Sequence, residues 1–307
     1  MNKEPEIYKP TEDPGGDYIV RGTALQGAVR IFACRTVQTC RDAVRIHGLS
    51  PLAAAAMGRL MSGILMLTQD LDLLGDTITA VIRCQGPLQG MTVIGEQNAT
   101  VRGTVIQPVV ETAYQKPGKL DVGAALGKGT LTVIRDMQLK EPYTGRVELV
   151  SGEIAEDLTA YLAISEQIPT LISLGVKMDQ QGITQAGGLM VQMMPDAGAS
   201  VADYLEKRIG GFPEISYLLE EGFNPHQILD LLLGDPDIRY HTVTPCSYAC
   251  PCSRERMERN LIALGREELS KLAEDPQGIN LVCHFCGSTY PFKQQEIGSL
   301  VQQIKPA

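Results

Sequence analysis

The chain has no excess of basic charge, no long apolar run and no apolar leader, and each absence narrows what it can be. Its 307 residues carry 27 Lys and Arg against 36 Asp and Glu, a formal net charge of -9 with a pI near 5.1. That balance argues against a nucleic-acid partner held through a dominant basic face, because such binding is driven by neutralising phosphates. The N-terminal stretch MNKEPEIYKPTEDPGGDY is polar and acidic, so a secretory leader, which needs an apolar segment, is not expected. The longest apolar run, Pro51 to Leu67, is interrupted by Arg59 and falls short of the ~20 residues that a membrane span needs. Internal repeats and low-complexity tracts are also missing. The expected setting is the cytoplasm, where thiols are kept reduced and clustered cysteines point to metal or redox chemistry ahead of structural disulfides.

What is present reads as an α+β protein with an antiparallel sheet and packed helices. Asp17 to Phe32 has the mixed alternation of a strand with glycine interruptions. Thr36 to His47 carries Val37, Cys40 and Val44 at helical spacing. Ser50-Pro51 then offers an N-cap and a proline at the first helical position, opening a helix to about Gln69. From Thr77 the pattern switches to period two, and ITAVIRC, MTVIGE, TVRGTVI and TLTVIRD are short strands separated by turn residues. A strand over Arg146–Ser151, a helix over Glu153–Gln167 and strands around Thr170–Lys177 and Gly188–Met194 complete a core domain, 1–195.

Composition changes after Pro195. Three short helices are expected at Val201–Ile209, Ile215–Glu221 and Pro225–Leu233, forming a helical linker, 196–241. Each has a narrow apolar stripe, drawn from Leu205, Ile209, Ile215, Leu218, Leu219, Ile228, Leu231 and Leu232. None is long enough to be stable alone, so all must dock on something. A small C-terminal domain, 242–307, follows, with a helical middle at Arg254–Leu264 and Arg266–Glu274.

That last domain holds the densest chemistry. Cys250-Pro-Cys252 is followed by Cys283-His-Phe-Cys286-Gly287, and two close cysteine pairs suit a tetrahedral four-thiolate zinc site. Gly287 reads as relieving crowding where backbone amides turn toward the sulfurs. A segment this small needs a staple, and zinc supplies binding energy that doubles as folding energy. A structural zinc ribbon and a redox-active site both fit the spacing. Cys246, His241 and His284 are read as bystanders, and Cys34, Cys40 and Cys84 as small core residues. Ser151, Glu153 and Asp157 look like a helix N-terminus, with Ser151 as its cap, rather than a catalytic cluster.

With these residues in hand, the sequence resembles the redox-regulated 33-kDa heat-shock chaperone family of bacterial holdases. The similarity runs nearly end to end. It includes Asp17-Tyr-Ile-Val-Arg-Gly22, Ser50-Pro-Leu-Ala-Ala54 leading to Gly58-Arg59, and Leu149-Val-Ser-Gly-Glu-Ile-Ala-Glu-Asp157. It continues through Tyr161 to Gln167, Ala186-Gly-Gly188, Cys250-Pro-Cys-Ser253, Cys283-His-Phe-Cys286 and Tyr290-Pro-Phe292; Cys246 is the one departure.

The resemblance implies a reduced, zinc-bound, poorly active monomer with Cys250, Cys252, Cys283 and Cys286 as metal ligands. It implies that oxidation by peroxide with heat, or by hypochlorous acid, forms the disulfides Cys250–Cys252 and Cys283–Cys286 and ejects zinc. The C-terminal module then unfolds, the linker stripes are exposed, and a homodimer binds unfolding client proteins without ATP. Two rivals are weaker. A zinc-ribbon nucleic-acid binder needs a basic module, yet residues 242–307 hold seven Lys/Arg and seven Asp/Glu. A thiol–disulfide oxidoreductase usually sets its Cys-x-x-Cys at a helix N-terminus, whereas INLVCHFCGSTYPF reads as strand and turn. Nothing in the chain reads as an enzyme, and no glycine loop followed by lysine is present to hold ATP.

Overall fold

The structure, a computed structural model, describes residues 13–111, 114–116 and 119–304. The polar N-terminal stretch lies outside the described residues up to position 12. The chain divides into two compact units, Met1–Tyr248 and Ala249–Ala307.

In the first unit, β1 (Tyr18–Ala24) and β2 (Val29–Arg35) are followed by α1 (Val37–His47) and α2 (Pro51–Leu67). Next come β3 (Thr77–Cys84), β4 (Gly90–Glu96), β5 (Thr100–Val105) and a small hairpin of β6 (Tyr114–Lys116) and β7 (Lys119–Leu120). Then α3 (Val122–Leu126), β8 (Gly129–Asp136), β9 (Tyr143–Glu148) and α4 (Ala155–Tyr161) lead to a long hairpin of β10 (Thr170–Asp179) and β11 (Gly182–Met193). Three helices follow, α5 (Ala199–Ile209), α6 (Ile215–Glu220) and α7 (Pro225–Leu233), before β12 (Arg239–Pro245) and β13 (Ser247–Tyr248).

Two sheets result, with strand orders β10-β11-β2-β1-β12 and β13-β5-β4-β3-β8-β9. All pairings are antiparallel except β13 beside β5. The architecture is the α+β fold with antiparallel sheets that the period-two runs imply. Every residue of α2 from Leu52 to Leu67 is buried. Its small residues allow close approach: a Cβ at Gly63 would sit 2.5 Å from Leu158 Cδ1. Together with the short helical turn at Thr68–Asp70, α2 gives a 20-residue helix that ends next to the expected Gln69 and reaches membrane-span length, but 94% of its apolar window is buried inside the protein.

The five-stranded sheet is buried on both faces, and strand alternation divides its residues. Ile19, Phe32, Cys34 and Met190 join the large core around α2. Tyr18, Val20, Ile31, Ala33, Leu189 and Val191 face the other way and pack with α5–α7. Those helices therefore cover an apolar sheet surface, which is what lets three short helices persist.

Several local readings need correction. Asp17 to Phe32 is a hairpin of two strands, turned by Leu25, Gln26 and Gly27, all at positive φ. Ser50 makes no cap bond; its hydroxyl accepts the Val110 N–H at 3.1 Å instead. The helix expected to Gln167 starts at Ala155, and after Tyr161 it continues as a π-helical turn over Leu162–Glu166. Asp157, not Ser151, satisfies that helix start, its carboxylate accepting the N–H groups of Val150, Ser151, Gly152 and Ile154.

The second unit has α8 (Arg254–Ala263), α9 (Arg266–Leu272), the hairpin β14 (Ile279–Val282) with β15 (Thr289–Phe292), and α10 (Gln294–Gln303). Its buried apolar core is six residues, Met257, Leu261, Leu269, Phe292, Ile297 and Leu300.

Candidate metal centre

The cysteines of the second unit sit where chain direction is tightly constrained. Cys250 and Cys252 flank Pro251, which fixes one φ between them. Immediately after, α8 starts at its N-cap Ser253, whose hydroxyl accepts the Arg256 N–H at 3.3 Å. Cys283 and Cys286 occupy the connection between β14 and β15. That turn is closed by Gly287 N–H donating to Cys283 O at 2.8 Å and Cys283 N–H donating to Ser288 O at 2.9 Å. Gly287 has φ +71°, and a Cβ there would meet nothing within 4 Å. The glycine therefore supplies a left-handed backbone, and crowding plays no part.

Both pairs point to one place. The Sγ atoms of Cys250, Cys252, Cys283 and Cys286 all lie within 4.8 Å of one another. Cys250 and Cys283 sulfurs are 3.7 Å apart, and those of Cys252 and Cys286 are 3.2 Å apart. A tetrahedral four-thiolate site with metal–sulfur bonds of about 2.3 Å has sulfurs about 3.8 Å apart. The first spacing matches and the second needs only a small opening, so the donor set and its spread fit a thiophilic metal. All four are free thiols here.

The protons on these sulfurs respond to crowding. Burial pushes Cys250 well up, reinforced by its contact with Cys283. Burial also raises Cys252. Cys286 is raised by burial but drawn down overall, to about 7, by the hydroxyl and amide of Ser288. Without a cation, four thiolates this close repel, and the positive charge of a bound metal offsets that cost and so favours the deprotonated ligands.

Two hydroxyls beside the sulfurs were not singled out from sequence. Tyr290 Oη lies 3.1 Å from Cys252 Sγ, and Ser288 Oγ lies 3.2 Å from Cys286 Sγ. The bond to Cys252 pushes the Tyr290 phenol up to about 12. Ser288 follows Cys286 by two residues, so its nearness was readable from spacing, whereas the Tyr290 contact depends on the hairpin closing on the start of α8.

The other cysteines have a different character. Cys34 and Cys40 are buried in the core of the first unit, Cys84 packs against it, and burial raises all three, Cys40 to about 12. Cys246 is also buried in that core, its thiol near Arg35 O at 3.8 Å, and burial pushes it far up. It lies in the first unit and outside the four-sulfur cluster. His284 is exposed, and His241 contacts Thr23 in the first unit. Glu153 meets Arg59 at 2.5 Å and accepts the Gly123 N–H, so it ties α2 to the first turn of α3.

Of the linker stripe, Leu205, Ile215, Leu218, Leu219, Ile228 and Leu232 are buried against the five-stranded sheet. Ile209 is partly buried there, and Leu231 is 42% exposed.

These features define a class: an α+β protein carrying a small second unit organised on four clustered cysteines. Residues 17–293 match the family described as Hsp33 protein. The 33 kDa chaperonin of Ruminiclostridium cellulolyticum is 48% identical over 288 residues, covering 94% of this chain and 99% of that protein. That of Acetivibrio thermocellus is 42% identical over 290 residues, covering 94% and 98%. The crystal structure of the 33 kDa chaperonin from Thermotoga maritima superposes with a TM-score of 0.86 at 34% identity, covering 94% and 99%. The chain belongs to the Hsp33 family and is a chaperone of that type.

Proposed function

We propose that this chaperone is an ATP-independent holdase switched on by oxidation. The reading rests above all on four free thiols held within 4.8 Å in a unit whose apolar core is six residues. In the reduced state Cys250, Cys252, Cys283 and Cys286 hold one zinc ion, which supplies the crosslink that this core is too small to replace. Structural zinc contributes about 10–16 kcal/mol of apparent binding energy, most of it folding energy for a unit this size.

Activation is ligand chemistry. Each pair, Cys250 with Cys252 and Cys283 with Cys286, loses two electrons to one peroxide and closes a disulfide, so two peroxides are reduced to water per chain. A disulfide sulfur is a poor metal ligand, so the cluster loses its donors together. The unit then unfolds, and the helices α5–α7 undock from the sheet that they cover. Their undocking exposes Leu205, Ile209, Ile215, Leu218, Leu219, Ile228, Leu231 and Leu232 together with the sheet face they cover. Unfolding client proteins bind that surface, and the oxidised chains pair as homodimers.

Functionally the chain then has a client-binding and dimerisation core, 1–195, a linker, 196–241, and a switch, 242–307, acting in the cytoplasm without enzymatic turnover, nucleic acid or membrane. The Cys-x-x-Cys pair lies on a hairpin connection and not at a helix N-terminus, which disfavours an oxidoreductase. The test is suppression of aggregation of a heat-unfolded protein by the zinc-loaded reduced chain and again after peroxide, with zinc release followed in parallel. Activity and zinc release are expected to rise together. Equal activity in both states, or zinc retained after oxidation, overturns the reading.

A further inference from the structure

The four sulfurs are not equivalent, and the difference lies in the hydroxyls around them. Tyr290 Oη stands 3.1 Å from Cys252 Sγ. A metal-bound cysteine is a thiolate with no proton to give, so in the loaded site the tyrosine must be the donor. Its position is fixed by the fold: β15 pairs Tyr290 with Leu281 of β14. Tyr290 and Cys252 both pack against the apolar core of the unit. The side chain therefore has little freedom to leave its sulfur. Among the described residues no hydroxyl is placed on Cys250 or Cys283, whose sulfurs meet each other at 3.7 Å.

A hydrogen bond to a thiolate draws charge from the sulfur and lowers its nucleophilicity. Outer-shell partners of metal ligands typically change metal affinity or activity by about 10–100-fold. We infer that Tyr290 is a positioning residue that sets the oxidation threshold of the switch, holding back Cys252 and with it closure of the Cys250–Cys252 disulfide. This rests on the oxidative reading above and adds the residue that regulates its rate.

The chemistry affected is explicit. One thiolate of the pair attacks a peroxide oxygen, forming an S–O bond as the O–O bond breaks and hydroxide leaves; the sulfur loses two electrons and becomes a sulfenic acid. The second thiolate attacks that sulfur, the S–S bond forms, the S–O bond breaks, and hydroxide leaves to take a proton from solvent. Cys252 takes part as attacker in one step or the other, so a donor on its sulfur slows the pair in either order.

The test uses the full chain loaded with zinc, wild type beside Tyr290→Phe. Zinc release under hydrogen peroxide is followed with a chromogenic chelator, and the disulfides formed at partial oxidation are assigned by peptide mass spectrometry. The variant is expected to bind one zinc per chain and to release it about tenfold faster. At partial oxidation, before zinc loss is extensive, the excess disulfide should appear at Cys250–Cys252. A variant that was merely less stable would speed both pairs alike, and that result overturns the inference, as does a release rate within twofold of wild type. If Tyr290→Phe does not load zinc, site-specific 3-fluorotyrosine at 290, a stronger donor of the same shape, decides: slower release supports the role, and equal or faster release contradicts it. Wild type that keeps its zinc under peroxide contradicts the oxidative reading itself, whereas wild type that releases it beside an unchanged variant contradicts only the role of Tyr290.

Discussion

The two units solve the problem of stability in opposite ways. The first wraps two sheets and several helices around α2, buried from Leu52 to Leu67, and covers the far face of one sheet with α5–α7. Hydrophobic burial of that extent holds a fold without a covalent or metal crosslink. In the second, the buried apolar cluster among the described residues is six side chains, and units of about 60 residues or fewer are marginal on burial alone. Its cysteines converge on one point, whereas Cys34, Cys40, Cys84 and Cys246 of the first unit are placed as packing residues with raised thiol pKa values. Cysteine is thus packed into the core of one unit and gathered into a four-sulfur cluster in the other. The lesson is that the clustered thiols sit beside the smaller apolar core and the isolated ones within the larger.

Stripping the metal breaks the comparison most strongly. Chelation of the reduced, zinc-loaded chain should unfold residues 249–304 while the sheets of the first unit keep their cooperative thermal transition. Limited proteolysis with peptide mapping checks this, since new cleavage should be confined to the second unit and, more weakly, to α5–α7. Cleavage spread equally through both units would erase the distinction.

A smaller effect sharpens the boundary inside the first unit. Leu229 in α7 is fully buried against the five-stranded sheet, and Leu229→Ala should cost about 2–5 kcal/mol through lost burial and a cavity. Because α5–α7 are short, the loss should appear as local undocking. The reduced variant is expected to suppress aggregation without oxidation, and a light-scattering assay on a heat-unfolded protein reads it.

The smallest effect is a pH dependence. His226 of α7 is buried, with its ring 4.7 Å from that of Tyr240. Burial lowers its pKa below the ordinary 6.5, although the nearby Asp230 and Asp13 oppose the shift. The unfolded segment therefore takes up a proton first as pH drops. The stabilisation is fully present above about pH 6.5 and is lost as pH falls from there toward the folded value. Hydrogen-exchange protection factors in α5–α7, corrected for the intrinsic pH dependence of exchange, should fall across that window, and His226→Gln should flatten the change.

Much of this organisation was legible in local sequence. The helices bounded by Gly210-Gly211 and by Asn224-Pro225 fall where those residues indicate, with Asn224 accepting the Gln227 N–H at 3.0 Å. The cysteine spacings were equally readable, because metal-ligand geometry is imposed over two or three residues. Long-range pairing was not. Nothing local shows that β12 adds to β1, with Ile19 opposite Thr244, or that Ser247 pairs with Thr100. Nor does spacing reveal that Tyr290 reaches back 38 residues to Cys252, since that contact depends on how a hairpin and a helix start close on each other. Ser50 misled for a related reason: its position suits a cap, but a better-placed partner, Val110 N–H, comes from a distant loop.

The most direct test of the central claim is hydrogen-exchange mass spectrometry on the zinc-loaded chain during peroxide oxidation, with zinc release recorded on the same samples. If the thiolate cluster is what holds the second unit, exchange across 249–304 rises in step with zinc loss. Exchange in α5–α7 should follow, while β1–β5 and α2 stay protected. Zinc loss with the second unit still protected, or a rise shared equally by α2, would contradict the account.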